Sequence, residues 1–424
     1  MDENAWDWNV GTKKIADIGE WKNRFNWVEE PYASPDGEKV AAIVNRAEGE
    51  FQVCVNGIPW EPVFDKIWYL RFSPDGRLTA LVSEMGEWTV AVDGVTWEKR
   101  FGYVWDTLFS KDGANITVSV QQDTKYAMAT NGTPWEKTYP NMTNHVASSD
   151  GTQTAAAVQL EEVGEGEIHK FQAGTFTAAL NGQAWDTQFV NVWDMAISPD
   201  GTRLAAEVRL SLYDYTIAVN GVAWERTFGC VWQPVFSPKG SVVAPVRIDG
   251  KWALAENSRL MWHGRFNQIW HQRFSPDGSR LAAVVSPKYG KWTVAVDANL
   301  WPVLFGDLVT DLVFSPDSRK IAALGKEGDH WNIVVDGKPW SHGVDRAWRP
   351  VFSPDGSQVA AKVEKNGRYT LVINNHIWRD GYDAIWDPVF SPDGDKVLLR
   401  ALGGDTYIRS VIPVNEFYKR GNNA

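Results

Sequence analysis

Histidine, cysteine and acidic side chains, which could bind a metal or transfer protons, are scattered through this sequence of 424 residues. The seven histidines occur singly, and none shows the HExxH or CxxC…HxxxH spacing of a zinc site. Two cysteines, Cys54 and Cys230, are too few for an iron–sulfur cluster and lack the CxxCH motif of covalent haem. Nucleotide-binding glycine loops and a Gly-x-Ser-x-Gly elbow are also missing. The sequence therefore predicts no catalytic residue, no cofactor site and no metal site.

The scattered residues lie within a repeat marked by a Ser-x-Asp-Gly turn in strict or degenerate form. Neighbouring copies are 37 to 40 residues apart, except for one gap of 50. A fixed period of this length indicates one supersecondary unit copied many times. The ten copies start at Ser34, Ser73, Ser110, Ser148, Ser198, Ser237, Ser275, Ser315, Ser353 and Ser391.

One repeat contains four short strands joined by tight turns. Pro and Gly in the first turn, and Asp-Gly or Asn-Gly in the last, favour the turn geometries that connect antiparallel strands. Four such strands in about 40 residues are typical of a β-propeller blade. In one copy the segments are Trp68–Phe72, the turn Ser73–Gly76, Leu78–Val82, Trp88–Val92, the turn Asp93–Gly94 and a strand carrying Trp97.

We therefore predict an all-β propeller of ten blades in one ring, with two five-bladed rings as the alternative. The last blade lacks a fourth strand, and residues 14–21 align with the end of a blade, with Trp21 at the position of Trp97. An N-terminal strand would then close the ring and remove its open edge. Residues 1–424 form one predicted domain, with an N-terminal extension (1–13), an inserted loop (159–172) and a C-terminal tail (414–424).

Tryptophan, present 24 times, falls on three positions of the repeat. The fourth-strand position is always Trp, which predicts packing across the seam between blades, with the indole N–H bonded to a backbone carbonyl. The third-strand position is always aromatic and indicates blade core. The fourth-strand residues are Trp21, Trp60, Trp97, Trp135, Trp185, Trp224, Trp262, Trp301, Trp340 and Trp378.

The remaining Trp position lies five residues before the turn serine and opens the first, inner strand. Glu29, Thr143 and Thr310 interrupt the series. Two interpretations stay open: packing of the inner ring, or an aromatic collar that binds a partner, since indoles are favoured at interfaces. The candidate partner-binding residues are Trp68, Trp105, Trp193, Trp232, Trp270, Trp348 and Trp386.

The inserted loop contains four further candidate partner-binding residues, Glu161, Glu162, Glu165 and Glu167. Long loops on a regular scaffold are usually functional or disordered. The loop is interpreted either as a solvated hairpin extension or as a docking element.

The formal net charge is −11, without a run of Lys and Arg longer than a pair, which argues against a nucleic-acid partner. The acidic start lacks the regions of a secretory signal, and no stretch approaches the roughly 20 apolar residues that cross a bilayer. The simplest interpretation is a cytoplasmic protein that reaches the inner face of the cell membrane only through partners.

The repeated Ser-Pro-Asp-Gly turns, for example Ser73–Gly76 and Ser391–Gly394, resemble those of the bacterial WD40-like or PD40 propellers. The resemblance covers residues 30 to 412 and implies the propeller fold, with little about function. In length, repeat type and Trp content, the chain also looks like the tryptophan-rich D subunits of the Tmc transmembrane redox complex of sulfate-reducing bacteria.

That second resemblance implies a non-catalytic, cofactor-free assembly subunit on the cytoplasmic side of a membrane-bound electron-transfer complex in sulfate respiration. Its partners would be an iron–sulfur protein and a cytochrome b membrane subunit. The alternative function is a propeller enzyme, a hydrolase or lyase, acting on a peptide or sugar at the central channel. Clustered carboxylates in a polar pocket would favour the enzyme.

Overall fold

The structure is a computed structural model that describes residues 3–164, 166–262 and 265–419. Its strands form ten antiparallel sheets, which are the blades of a single ten-bladed β-propeller. The predicted fold class is confirmed, and one ring rather than two is formed. Blades are numbered here in chain order, and the strands of each blade from first (inner) to fourth (outer). The described residues group into two compact units, one spanning residues 62–266 and the other comprising those before 62 and after 266.

The unit of residues 62–266 contains blades 2 to 6. Blade 2 consists of Lys66–Phe72, Leu78–Glu84, Glu87–Val92 and Val95–Thr96. Blade 3 consists of Tyr103–Phe109, Ile116–Gln122, Lys125–Thr130 and Thr133–Pro134. Blade 4 consists of Asn141–Ala147, Thr154–Gln159, Phe176–Leu180 and Gln183–Ala184, and blade 5 of Asn191–Ile197, Leu204–Arg209, Tyr215–Val219 and Val222–Ala223. Blade 6 has a first strand in two parts, Cys230–Val231 and Val235–Phe236, followed by Val242–Ile248, Lys251–Glu256 and Arg259–Leu260.

The other unit contains blade 1 and blades 7 to 10. Blade 1 consists of Trp27–Val28 with Tyr32–Ala33, Val40–Ala47, Glu50–Val55 and Ile58–Pro59. Blade 7 consists of Gln268–Phe274, Leu281–Lys288, Lys291–Val296 and Asn299–Leu300, and blade 8 of Leu308–Phe314, Ile321–Glu327, His330–Val335 and Lys338–Pro339. Blade 9 consists of Arg346–Ala347 with Val351–Phe352, Val359–Lys365, Arg368–Ile373 and His376–Ile377. Blade 10 consists of Ala384–Ile385 with Val389–Phe390, Lys396–Gly403, Thr406–Pro413 and the N-terminal strand Gly11–Asp17.

The predicted N-terminal closure is present, but part of it is helical. Gly11–Asp17 pairs antiparallel with Thr406–Pro413, so the strand begins inside the predicted extension. Trp21 does not continue this strand as expected, because Asp17 accepts a 3.0 Å hydrogen bond from the Gly19 amide and caps a helix. The helical segments are Glu3–Ala5, Ile18–Arg24, Ile168–Ala173 and Asn415–Lys419.

The Asn-Gly turns between the third and fourth strands show why their first position requires Asn or Asp. In blade 3, Asn131 has a φ of +48°, and its Oδ1 accepts a 3.0 Å hydrogen bond from the Ile116 amide. Both demands suit a short side chain that tolerates the left-handed region and carries an acceptor. Blades 1 to 9 all use this bond, through Asn56, Asp93, Asn131, Asn181, Asn220, Asn257, Asp297, Asp336 and Asn374.

The Ser-x-Asp-Gly turns are held by a similar side-chain network. The buried hydroxyl of Ser353 donates to Asp355 Oδ1 at 2.5 Å and accepts from the Gln358 amide at 2.9 Å. Asp355 Oδ1 also accepts from the Ser357 amide at 3.0 Å. These bonds, led by the Ser353 hydroxyl, lower the pKa of Asp355 to about 2. The turn therefore favours the ionised carboxylate.

Fourth-strand tryptophans pack across the seam to the next blade, as predicted, at Trp97, Trp135, Trp185 and Trp301. A Cβ on Gly182 in the blade 4 turn would lie 3.0 Å from Trp135 of blade 3, so the indole covers a turn that has no room for a side chain. The N–H of Trp135 donates to the Thr154 hydroxyl at 2.8 Å, rather than to the expected backbone carbonyl. Trp21 makes the equivalent contact from its helix, with its Nε1 lying 3.3 Å from the Cβ position of Gly57.

Two buried arginines of blade 10 join this blade to blade 1. The guanidinium of Arg409, only 1% exposed, donates to the Asp36 carbonyl at 2.8 Å and to the Asp7 carbonyl at 2.6 Å. Arg400 donates to the Ser34 carbonyl at 2.9 Å. The turn of blade 1 and the N-terminal segment are thus bonded to the last blade, which closes the ring.

Replacing Arg409 with Met (Arg409→Met) should lower the free energy of unfolding by about 3 kcal/mol, because two partly buried backbone carbonyls lose a charged donor. The control is Arg379→Met, which removes an exposed ion pair of 3.5 Å with Asp380. The control should change stability by less than about 0.5 kcal/mol. Urea unfolding of both variants measures the difference, and equal losses would contradict the assigned role of Arg409.

The turn carboxylates predict a loss of stability in acid. Because the folded pKa of Asp355 is lowered from 3.8 to about 2, the unfolded chain binds the proton more readily. Its contribution is present above pH 3.8 and disappears as the pH falls through about 2. Urea midpoints measured between pH 6 and pH 2 should fall less steeply for Asp355→Asn than for the unmodified protein. Identical pH profiles would show that the carboxylate contributes nothing.

Candidate interaction surface

The inner strand of every blade is irregular directly after the Trp position. In six blades the pairing register shifts there, as between Trp105 and Thr107 in blade 3. In blades 1, 6, 9 and 10 a proline (Pro31, Pro234, Pro350 or Pro388) lies at this point, and the strand is split in two. Proline cannot donate to the sheet, and a bulge re-aims the adjacent side chain. The side chain of the residue after the Trp position therefore departs from the regular alternation of side chains along the inner strand.

The seven predicted Trp residues of the inner strands each pack within their own blade. The indole of Trp270 lies 4.4 Å from that of Trp292, the third-strand aromatic of blade 7. Trp68 and Trp232 remain 48% and 42% exposed, and the other five are half-buried. The corresponding pairs are Trp68–Trp88, Trp105–Tyr126, Trp193–Tyr215, Trp232–Trp252, Trp270–Trp292, Trp348–Tyr369 and Trp386–Tyr407. Their role in binding a partner stays a prediction.

Ring contacts in blades 2 and 3 join Trp68, Trp88, Tyr103 and Trp105 into one cluster, here called the aromatic ladder. The Tyr103 ring lies 6.1 Å from Trp68, 5.4 Å from Trp88 and 6.0 Å from Trp105. Trp88 is buried beneath, whereas Trp68, Tyr69 and Tyr103 are 48%, 38% and 37% exposed. The sequence did not indicate Tyr69 or Tyr103, because neither occupies a repeated aromatic position.

The acidic residues of the inserted loop form ion pairs and hydrogen bonds mainly within that loop and with nearby residues. Glu161 pairs with Lys170 and Glu162 with Lys125, both at 2.8 Å. Glu167 accepts a 2.7 Å hydrogen bond from the Gly164 amide, while Glu165 lies outside the described residues. The short helix Ile168–Ala173 was not expected in this loop. Exposed ion pairs of this kind contribute little to stability, and a docking role of the loop stays a prediction.

The turned-out residues of blades 3 to 6 line a polar cavity of about 470 Å³, here called the inner-strand cavity. They are Asp106, Asn144, Asp194 and Gln233, which occupy the same repeat position in four successive blades. His145 Nε2 lies 3.4 Å from Asp106 Oδ2, and burial lowers the pKa of His145. The remaining lining residues are Trp105, Met142, Thr143, Val146 and Met195.

Carboxylates in a polar cavity are one feature that the enzyme alternative required. Among the described lining residues, no hydroxyl or thiol is hydrogen-bonded to His145 or to a carboxylate as a nucleophile would be. The cavity therefore offers carboxylates but no activated nucleophile. An enzymatic function stays a prediction.

The sequence interpretation missed three charged residues at one repeat position of the second strand, which is the fourth residue in blades 1 to 9 and the fifth in blade 10. Seven blades have an uncharged residue there: Ile43, Leu81, Ser119, Ala157, Pro245, Val284 and Leu324. Blades 5, 9 and 10 have Glu207, Lys362 and Arg400. An alignment of the ten second strands would have shown these departures.

Glu207 is 6% exposed and lies opposite the bulge that contains Asp194. Burial, followed by repulsion from Asp194, raises the pKa of Glu207 to about 8. Within the described part of the chain, no donor is hydrogen-bonded to its carboxyl group. Glu207 does not line the inner-strand cavity itself, but it is close enough to Asp194 in the cavity wall to be repelled by it.

Lys362 shows a different environment at the same repeat position. Its Nζ lies 4.5 Å from the centre of the Trp348 ring and 5.0 Å from that of Tyr369. Burial lowers the pKa of Lys362, opposed by the charges of Asp387 and Glu30. Trp348, a predicted binding residue, thus has a cation–π contact inside its own blade.

The described residues contain no group of three or more His, Cys, Asp or Glu side chains arranged to hold a metal ion. Among the same residues, no helix has the length and apolar character needed to span a membrane.

Comparisons with known proteins give structural likenesses only. No protein-family profile and no curated protein matches this sequence. A crystal structure of a eukaryotic initiation factor matches with 14% identity and a TM-score of 0.43, over 86% of this chain and 93% of that one. The structure of a putative TolB from Agrobacterium tumefaciens matches with 19% identity and a TM-score of 0.27, over 45% of this chain and 75% of that one. Neither likeness is close enough to support an argument about function.

Replacing Glu207 with Leu (Glu207→Leu) should raise the free energy of unfolding by about 1–3 kcal/mol at pH 7, because an unbonded buried carboxyl is removed. The folded pKa of Glu207 is raised from 4.5 to about 8, so the protonated form that the folded state favours is lost as the pH rises through 8. The gain in the variant should therefore grow in alkali. Chemical denaturation at pH 7 and pH 9 measures it, with Leu324→Glu in blade 8 as the reverse control. A less stable Glu207→Leu protein would show that the carboxyl makes a favourable contact.

Proposed function

We propose that this protein is a non-catalytic interaction subunit whose aromatic ladder binds another protein. A propeller fold is consistent with such a role. The observation that carries the proposal is the exposure of Trp68 and Tyr103, whose rings lie 6.1 Å apart. Trp and Tyr are enriched in interface centres and frequently dominate binding energy.

The ladder is also rigid, which lowers the entropy lost on binding. Tyr103 rests on the buried Trp88 ring at 5.4 Å, and Trp68 lies 4.9 Å from the same ring. These contacts hold the exposed rings of Trp68 and Tyr103 in place before a partner arrives.

The finer proposal concerns the identity of the complex. We propose a cytoplasmic protein at the inner face of the cell membrane, bound to an iron–sulfur protein and a cytochrome b membrane subunit of an electron-transfer complex. The support is the resemblance in length, repeat type and Trp content to the D subunits of Tmc complexes of sulfate respiration. In this assembly the subunit would supply a binding surface, while its partners supply the redox groups.

The test is purification of the tagged protein from detergent-solubilised cells of its own host. Trp68→Ser combined with Tyr103→Ser should reduce recovery of the bound proteins at least tenfold, since hot-spot truncations often cost 2 kcal/mol or more. Tyr289→Ser is the control, because Tyr289 is 96% exposed and lies outside the ladder. Mass spectrometry identifies the partners, and the haem absorbance of the eluate reports the cytochrome.

Two results would contradict these proposals separately. Equal recovery of partners by the ladder variant and the Tyr289 variant would exclude the ladder as the binding surface. A partner set without iron–sulfur protein or cytochrome would exclude the electron-transfer assignment while leaving the interaction role intact.

A further inference from the structure

The inner-strand cavity has a charge distribution that suits a cation. Asp106 and Asp194 contribute carboxylates, and Asn144 contributes a side-chain carbonyl. Lys and Arg are missing from its described lining, and the depressed pKa of His145 keeps that ring neutral at pH 7. A cation entering the cavity would meet acceptors and no like charge.

Glu207 gives a second, independent indication of a ligand. A buried carboxyl without a donor is costly, and the equivalent residue is uncharged in seven other blades. The carboxyl lies opposite the Asp194 bulge and interacts electrostatically with Asp194 in the cavity wall. A cation bound at Asp194 would reduce this repulsion.

The remaining walls suit the carbon chain that carries such a cation. Met142 and Met195 are buried and supply apolar, adaptable contacts, and Trp105 presents a half-buried indole. Planar guanidinium groups bond carboxylates through two donors and stack on indole faces. The volume of about 470 Å³ accommodates one side chain of this size together with water.

We propose that the inner-strand cavity binds an alkyl guanidinium or ammonium cation, either an Arg or Lys side chain of a protein partner or a free polyamine. This inference deepens the proposed interaction role, because it gives the partner a basic residue to insert. It does not require the aromatic ladder to be the partner's main contact.

Isothermal titration of the purified protein with N-acetyl-arginine amide tests the proposal without any partner. The neutral isostere N-acetyl-citrulline amide should not bind measurably. Asp106→Asn and Asp194→Asn should each weaken binding about tenfold, as expected for loss of a charge-assisted hydrogen bond. The matched control is Asp186→Asn, which removes one exposed carboxylate of blade 4 that does not line the cavity. This control should bind as the unmodified protein does.

Titrations at several pH values measure the contribution of Glu207 to the affinity for the cation. The guanidinium probe keeps its charge, whereas Glu207 ionises near pH 8 and adds a negative charge. Affinity should therefore rise several-fold between pH 7 and pH 8.5 in the unmodified protein and stay constant in Glu207→Gln. The other ionisable groups that interact with Glu207 are Asp194 and the Cys230 thiol, and burial raises the pKa of Cys230 above its ordinary value of 9.0.

Spermidine in the same titration distinguishes the source of the cation. Tighter binding of spermidine than of the arginine amide would assign the cavity to a polyamine, and the reverse order to a partner side chain. Equal binding of the citrulline isostere, or unchanged affinity in both Asp variants, would overturn the proposal. Failure of the interaction role is separable, because the Trp68→Ser, Tyr103→Ser protein should keep its affinity for the cation.

Discussion

The contact between a fourth-strand indole and the two-residue turn of the next blade is the interaction on which the propeller depends. The fourth strands of blades 1 to 9 contain only two residues each, and in blade 3 the chain beyond the strand bonds to the third strand again where Tyr126 pairs with Tyr139. Trp135 also fastens this outer segment to blade 4, through the turn at Gly182 and the Thr154 hydroxyl. The outer edge of blade 3 is thus held both by its own sheet and by its neighbour, and the indole supplies the second of these contacts.

This constraint also explains how well the fold could be predicted from the sequence. A turn that needs a left-handed residue with an acceptor side chain admits only Asn or Asp, and a seam that needs an indole admits only Trp. These residue types therefore recur visibly in the sequence. Trp21 matched the pattern although it lies in a helix, because the seam specifies the position of the ring and not the backbone that presents it. The helix itself depended on a capping bond of Asp17, which leaves no periodic trace.

The candidate site was less predictable because it depends on departures from the repeat. The seven inner-strand tryptophans were identified, whereas Tyr69, Tyr103 and Glu207 were missed, since each occurs once at a position that other blades fill differently. The bulges that turn Asp106 and Asp194 toward the cavity arise from pairing between strands and cannot be read from one strand alone. Regular features therefore identify the scaffold, and single exceptions identify its special surfaces.

Pairing of residues 11–17 with residues 406–413 has a consequence for biosynthesis. The strand Gly11–Asp17 must stay unpaired until residues 406–411 have been made. During that interval its own edge is exposed, and an unpaired strand edge invites self-association. The nascent chain therefore has a long interval in which a chaperone holding the N-terminal segment would protect it from aggregation.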